Sequence, residues 1–226
     1  MLQTISYMLL TIVIFFFMTW LYKRTGISFL FPILTSTIVL LLILIFAKIP
    51  YDTYMQGGRV INFFLGPAVV GMAYPLYTQW DVIMRFKKTI LSSVIVAMLA
   101  GMTSVIALGL LFQLDEQMLR SFLPKSITSP VAIQISDAIG GIPQMTVLFV
   151  IIAGITGAIG GPGIYRLLKI DTPVSKGVAM GSAAHGIGVS KLTEYGELTL
   201  SIGSVAMTLS AILGSFLCPV VIYLFF

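Results

Sequence analysis

The amino-acid sequence predicts an all-α polytopic membrane protein: about seven transmembrane helices, a re-entrant or short amphipathic helix, and inverted three-helix repeats with broken helices. Three observations predict it. Of 226 residues, 58% are hydrophobic and 9% charged, with a mean hydropathy of +1.05, which leaves too little polar surface to cover a soluble globule. The apolar residues fall into runs of about 20, the length that spans about 30 Å of hydrocarbon at roughly 1.5 Å per residue, and no connection is long enough for a soluble domain. Lys and Arg gather at the ends of these runs, on alternate connections.

The first run, Thr4 to Tyr22, has no Lys or Arg before it and is followed by Lys23 and Arg24, so it reads as an anchor rather than a secretion signal and sets the N-terminus outside. Ile27 to Ala47 is a second clean run. Val60 to Trp80 is interrupted by Asn62, Gly66-Pro67, Gly71 and Tyr74-Pro75, and each proline removes a backbone donor, leaving carbonyls that need partners. Arg85, Lys87 and Lys88 follow on the expected cytoplasmic side before the clean run Thr89 to Phe112. Asp115, Glu116 and Arg120 then lie outside. The stretch Lys125 to Pro143 must not cross if the charge pattern is to hold, because Arg166, Lys169 and Lys176 after the run Met145 to Leu168 belong inside. Gly177 to Ser190 and Leu198 to Phe225 complete the crossings and leave the C-terminus cytoplasmic. The chain thus reads as one integral membrane domain, residues 1–226, with a peripheral first helix at 1–26, a first repeat at 27–113, a re-entrant segment at 124–143 and a second repeat at 145–226.

The repeat rests on a likeness between the halves. Each has a clean helix ending in Lys-Ile (Lys48-Ile49, Lys169-Ile170), a loop with Asp, Pro and Thr, a glycine-interrupted segment, and another clean helix. With three crossings per unit the second copy would be inverted.

Composition also excludes several classes. The single cysteine, Cys218, rules out an internal disulfide framework or a cysteine metal cluster. The net charge of +5 is dispersed along the chain with no aromatic-interleaved basic patch, so nucleic acid is not the expected partner. No metal or cofactor is expected.

Candidate chemistry sits in the interrupted segments. Asn62 lies in the first, beside freed backbone. In the re-entrant candidate, Ser129 before Pro130 reads as a helix cap and Gly140-Gly141 as its close, giving a helix of about ten residues, too short to span. Its N-terminus, with Ser126, Thr128, Ser129 and nearby Lys125, suits a carboxylate or other small anion; the alternative is an interfacial helix with its polar groups in water. Spacing puts Gln134 beside Val131 and Ile135 on one face, with Ile133, Asp137 and Gly140 on another. The last interrupted segment holds the only histidine, His185, preceded by Ser182 and flanked by Gly186 and Gly188. An ionisable group at membrane depth points to function, either donating to a carboxylate or titrating for proton coupling; a packing histidine bonded to a neighbour is the alternative. Gly177 and Gly181, and Gly157 and Gly161, form small-xxx-small pairs for close helix packing, while Lys191, Glu194 and Glu197 read as a solvated rim.

These same residues carry a resemblance. Lys125-Ser126-Ile127-Thr128, Ile139-Gly140-Gly141, Thr146 to Ile151, Lys176-Gly177, Gly181-Ser182-Ala183-Ala184-His185-Gly186-Ile187-Gly188 and, in the first half, Ala73-Tyr74-Pro75-Leu76-Tyr77 are similar to the LrgB/CidB family of bacterial inner-membrane proteins, along essentially the whole chain. The resemblance implies a multi-pass bacterial plasma-membrane protein paired with a small holin-like LrgA/CidA partner. It implies either antiholin-like modulation of murein hydrolase activity and lysis, or transport of small carboxylates such as pyruvate, glycolate and glycerate. Gln134 stands where a glutamate is common in relatives, and Val189-Ser190-Lys191 replaces their more usual Thr-Ala-Arg/Lys pattern.

The expected function is a transporter or facilitator of small monocarboxylates, with a holin/antiholin-like regulator of permeability and autolysis as the alternative. Interrupted segments and a lone histidine favour the first. An enzyme is not expected, since Ser182 and His185 have no orienting acid in the sequence pattern. Abundant Gly, Ala and Ser faces make a homo-oligomer in the bilayer the expected assembly.

Overall fold

A computed structural model describes residues 2–26, 30, 32–71 and 73–225. Met1, Ile27 to Phe29 and Phe31 at the start of the expected second run, Met72 in the first interrupted segment, and Phe226 lie outside the described residues. Every described element is helical: α1 Leu2–Thr25, α2 Pro32–Phe46, α3 Tyr51–Phe63, α4 Leu65–Gly71, α5 Ala73–Thr78, α6 Trp80–Leu111, α7 Glu116–Phe122, α8 Ser129–Ala138, α9 Pro143–Leu167, α10 Pro173–Lys191, a 3₁₀ turn Leu192–Tyr195, and α11 Glu197–Phe225. Four of the described helices, α1, α6, α9 and α11, are long and apolar enough to cross a membrane, and α2 is a shorter apolar helix of 15 residues. Within the first interrupted segment the described helix is interrupted at Phe64, between α3 and α4, and at Gln79, before α6.

Contacts divide the chain into two compact units, Met1–Ala68 and Val69–Phe226. In the first, α3 lies against α1 at Gly57, where a Cβ would fall 2.8 Å from the Cβ of Tyr7 and 2.7 Å from the backbone nitrogen of Met8. Only a residue without a side chain lets the two backbones approach so closely. The Tyr54 and Thr11 hydroxyls share a hydrogen bond of 2.9 Å, and the Tyr7 and Tyr54 rings meet edge to face.

Three helices stop in the same way. Lys48, Gln113 and Lys169 adopt the left-handed conformation with φ of 52°, 53° and 54°. The next residue in each case donates back to a carbonyl five positions earlier, Ile49 to Leu44, Leu114 to Gly109 and Ile170 to Tyr165. The Lys-Ile pairs that mark the two halves are therefore helix-stop motifs, and the third copy at Gln113-Leu114 shows that the motif is general to this chain.

In the second unit, α9 and α11 run antiparallel. At one end the start of α9 is held to α7 and α8 by a buried hydroxyl cluster: Thr146 Oγ1 lies 2.6 Å from Ser136 Oγ and donates to the Ser121 carbonyl at 2.8 Å. The end of α11 arrives there too, since Pro219, Ile222 and Tyr223 line a cleft with Arg120, Asp137 and Gly140. At the other end, the Tyr165 ring near the close of α9 meets the Tyr195 ring, 5.9 Å between centroids, just before α11 begins.

Between them α10 does not run through. The sequence leads one to expect a sixth crossing from Gly177 to Ser190, but the backbone reverses at His185, whose φ of 39° and ψ of −143° are not helical. Beyond the reversal Gly188 packs on the arm just left behind, its Cβ position only 2.4 Å from the Cβ of Ala184 and 2.9 Å from Cγ of Met180. Residues four and eight apart in a straight helix stand roughly 6 and 12 Å apart, so both contacts require a hairpin. The returning chain brings Tyr195 back to Lys176, whose Nζ lies 5.2 Å from the Tyr195 ring centre. The segment is a re-entrant helical hairpin with His185 at its tip.

Candidate functional site

The hairpin is seated by small residues on both sides. On α9, a Cβ at Gly157 would lie 2.3 Å from the Cβ of Ala184, and one at Gly161 would lie 2.6 Å from Cε of Met180. On the α11 side, a Cβ at Gly181 would lie 2.3 Å from the Gly203 carbonyl oxygen. The small-xxx-small pairs visible in the sequence thus do serve close packing.

At the tip the imidazole lies over Gly154, whose Cβ position is 2.7 Å from His185 Cε1. His185 is 2% exposed, and its Nε2 donates to the Val150 carbonyl at 2.8 Å. A carbonyl only accepts, so Nε2 carries the hydrogen and Nδ1 is the basic nitrogen of the neutral ring. A non-glycine residue at this φ and ψ costs about 1–3 kcal/mol, held in place by the surrounding packing. Ser182 is also buried but donates to the Val178 carbonyl of its own helix at 2.7 Å, so the two polar side chains of the tip bond in different directions. Gly188 is buried inside the hairpin, while Gly186 faces outward with a Cβ position 3.7 Å from Met207 Sδ.

The base of the hairpin is tied shut. Tyr165 donates its phenol proton to the Lys176 carbonyl at 2.8 Å, and the Tyr165 and Tyr195 rings meet at 82°. Lys191 pairs with Glu194 at the edge; Glu194 and Glu197 are exposed as a rim would be, while the Lys191 side chain is largely covered.

The Lys125 to Ser129 segment is a separate feature. Thr128, not Ser129, caps α8: its carbonyl accepts from the Val131 and Ala132 nitrogens at 3.0 and 2.9 Å, which starts the helix at Ser129 and puts Pro130 in the second position. The ten-residue length and the close at Gly140, φ 77°, agree with expectation. Lys125 Nζ donates to Ser126 Oγ at 3.2 Å, and burial lowers the lysine from its ordinary value. The face that α8 buries is set by its packing partner. Ala132, Ile135, Ser136 and Ile139 are buried, while Gln134 and Asp137 are exposed, because the partner of α8 is the hydroxyl cluster at Thr146. Asn62 is exposed near the end of α3, in the other unit.

Of the residues singled out in the sequence, the structure therefore unites Ser182, His185, Gly186 and Gly188 in the hairpin, and Lys125, Ser126, Thr128 and Ser129 in the turn before α8. Sequence reasoning missed Val150 and Gly154, the seat of the imidazole, and a cleft of about 430 Å³ between α6 and the entering arm of α10, with Ser92, Ser93 and Ser175 in its lining. Gly154 stands three residues before Gly157, and that spacing was the available signal.

The chain matches the model of the LrgB-like family over residues 11–224. It is similar to the Bacillus subtilis protein YxaC, 49% identical over 96% of this chain and 94% of the relative, and to Bacillus subtilis YwbG, 32% identical over 90% and 91%. It is also similar to the holin-like protein CidB of Staphylococcus aureus, 33% identical over 99% of this chain and 98% of the relative. No solved structure matches it.

Proposed function

Since the chain belongs to the LrgB-like family, a family of bacterial membrane proteins, we propose that it transports or facilitates the passage of small monocarboxylates of the pyruvate or glycolate kind, together with a small LrgA/CidA-type partner. The observation that carries this reading is the re-entrant hairpin with a buried histidine at its tip. Backbone that turns back at membrane depth is tolerated where protein buries it or where it lines a wet cavity, and discontinuous helices of this kind are the usual material of transport sites. With Nε2 committed to Val150, Nδ1 is left to take a proton, and the imidazolium would then offer an N–H to a carboxylate while the two charges compensate each other.

On this reading α6, α9 and α11 cross, and Arg85, Lys87, Lys88, Arg166, Lys169 and Lys176 hold their shared basic end in the cytoplasm. The N-terminus is outside. The reversal at His185 removes one crossing from the seven counted in the sequence, so α11 ends outside rather than in the cytoplasm.

A holin/antiholin-like role in membrane permeability and autolysis is the second reading, favoured by the similarity to the holin-like protein CidB. It requires no histidine at the tip of a hairpin. The deciding experiment is flux into proteoliposomes of the purified chain, with and without the small partner, against a panel of carboxylates. Saturable uptake that is lost in His185→Gln, whose amide can still donate to Val150 but cannot hold a proton, is expected. Unsaturable ion leak indifferent to His185 would overturn the transport reading in favour of the second.

A further inference from the structure

We propose that Ser210 of α11 is the polar group behind a closed barrier in the transport path, sealed by the hairpin tip and Ile127 and given a hydrogen-bond partner by water or solute when the tip withdraws; the proposal rests on the transport reading and supplies its gate. Among the described residues Ser210 Oγ is the one buried side-chain polar atom without a hydrogen-bond partner, and the residue is 0% exposed. Its own helix does not satisfy it. Thr199, Ser204, Thr208 and Ser215 each donate to the carbonyl four residues earlier in the chain, on Tyr195, Leu200, Ser204 and Ala211, whereas Ser210 does not. A buried hydroxyl left in this way is costly, and folded proteins keep few of them.

Register places this hydroxyl at the end of the hairpin. A Cβ at Gly177 would lie 2.9 Å from Ile202 Cβ, and one at Gly181 would lie 3.0 Å from Ala206 Cβ. Four residues along the entering arm thus match four along α11, and the next step pairs His185 with Ser210. The arm goes no farther, because the backbone reverses there and Gly186 already meets Met207. One turn beyond Ser210, the Cβ position of Gly214 runs into Ile127 Cδ1 and lies 3.1 Å from Met98 Cε. Ser210 therefore stands between two discontinuous elements, the hairpin tip and the turn that opens α8.

Neither element satisfies the hydroxyl. His185 turns its ring to the Val150 carbonyl on α9, Ser182 donates to the Val178 carbonyl of its own arm, and Ile127 offers only carbon. Sealing an unpaired hydroxyl raises the free energy of the closed arrangement and so favours one in which water or solute reaches it. Withdrawal of the tip moves the hairpin against α9, where Tyr165 ties its base at the Lys176 carbonyl.

Two measurements on the full-length purified chain test the gate. In detergent, Ser210→Ala should raise Tm by about 2–4 °C, because it deletes a hydroxyl that destabilises the fold, while in proteoliposomes the same variant should take up labelled lactate at about one tenth of the wild-type rate. Ser204→Ala, whose hydroxyl bonds within α11, should leave uptake as it was. Loss of a merely structural contact would not combine higher stability with slower transport. A lower Tm would mean that the hydroxyl is paired in the fold, and full uptake by Ser210→Ala would take it out of the path; either overturns the proposal. The second measurement needs no transport: Ser210→Cys in a Cys218→Ala background should react slowly with methyl methanethiosulfonate, and about fivefold faster once Tyr165→Phe frees the base of the hairpin. Equal rates in the two backgrounds would overturn the barrier even where uptake is intact. If wild type takes up no lactate while the labelling rates differ, the transport reading falls and the opening of the hairpin over Ser210 stands.

Discussion

Substituting Gly154 by alanine tests the seat of the histidine. The added Cβ would lie 2.7 Å from His185 Cε1, 2.8 Å from Ile187 Cβ and 2.9 Å from Ile187 Cδ1. Ordinary contact begins near 3.4 Å, so the tip must retreat by about 0.7 Å. The neighbours yield poorly: the ring is pinned to Val150, and the Ile187 Cβ is attached to the backbone of the returning arm. Overpacking of this kind costs about 1–3 kcal/mol, and loss of the His185 hydrogen bond adds about 1 kcal/mol. Alanine in place of glycine within a helix returns about 1 kcal/mol, for a net destabilisation of about 2 kcal/mol. At about 2–4 °C per kcal/mol for a chain of this size, the Tm of the purified protein should fall by roughly 4–8 °C. Gly160 on the same helix supplies the control, because nothing lies within 4 Å of its Cβ position. Gly160→Ala should leave Tm unchanged or raise it. Thermal unfolding of both variants in one detergent decides the matter: equal shifts, or an unaltered Tm for Gly154→Ala, would refute the assigned seat.

His185→Gly should separate the backbone from the ring. Glycine accepts the left-handed conformation without strain, so the variant should fold with a Tm within a few degrees of wild type yet lose uptake; retained uptake would remove the imidazole from the mechanism. At the base of the hairpin, Tyr165→Phe removes the bond to the Lys176 carbonyl and should lower Tm by about 2–4 °C, whereas Tyr195→Phe keeps the ring under Lys176 and should not. An equal effect of the two would mean that the phenol bond does not hold the base closed. Reporter fusions at the C-terminus test the single reversal, with alkaline phosphatase active and a cytoplasm-dependent fluorescent protein dark; the opposite pattern would restore the crossing by α10.

How far the sequence reaches depends on whether a feature is local. The ten-residue α8 was legible because its proline, its flanking hydroxyls and its closing glycines all act within a turn of their own positions. Its buried face was not, because that face is chosen by Ser121 and Thr146, 15 or more residues before Ser136 in one case and 10 after it in the other. The hairpin divides in the same way. Glycines and a lone histidine announced a break in α10, and the Gly157 and Gly161 pair announced close packing. The direction taken after the break, however, is fixed by the dihedral angles of His185, a non-glycine residue that no propensity would select for a left-handed turn. Those angles persist because Val150 holds the ring, Gly154 makes room for it, and Gly188 lets the returning arm lie against Ala184 and Met180 of the entering one. That one reversal also changes the orientation, because a charge count along the chain assumes that each apolar run goes through. The conformation that hid the topology from the sequence is the same one that buries the imidazole at the tip, and a residue strained into that position between α9 and its own returning arm is where function is to be sought.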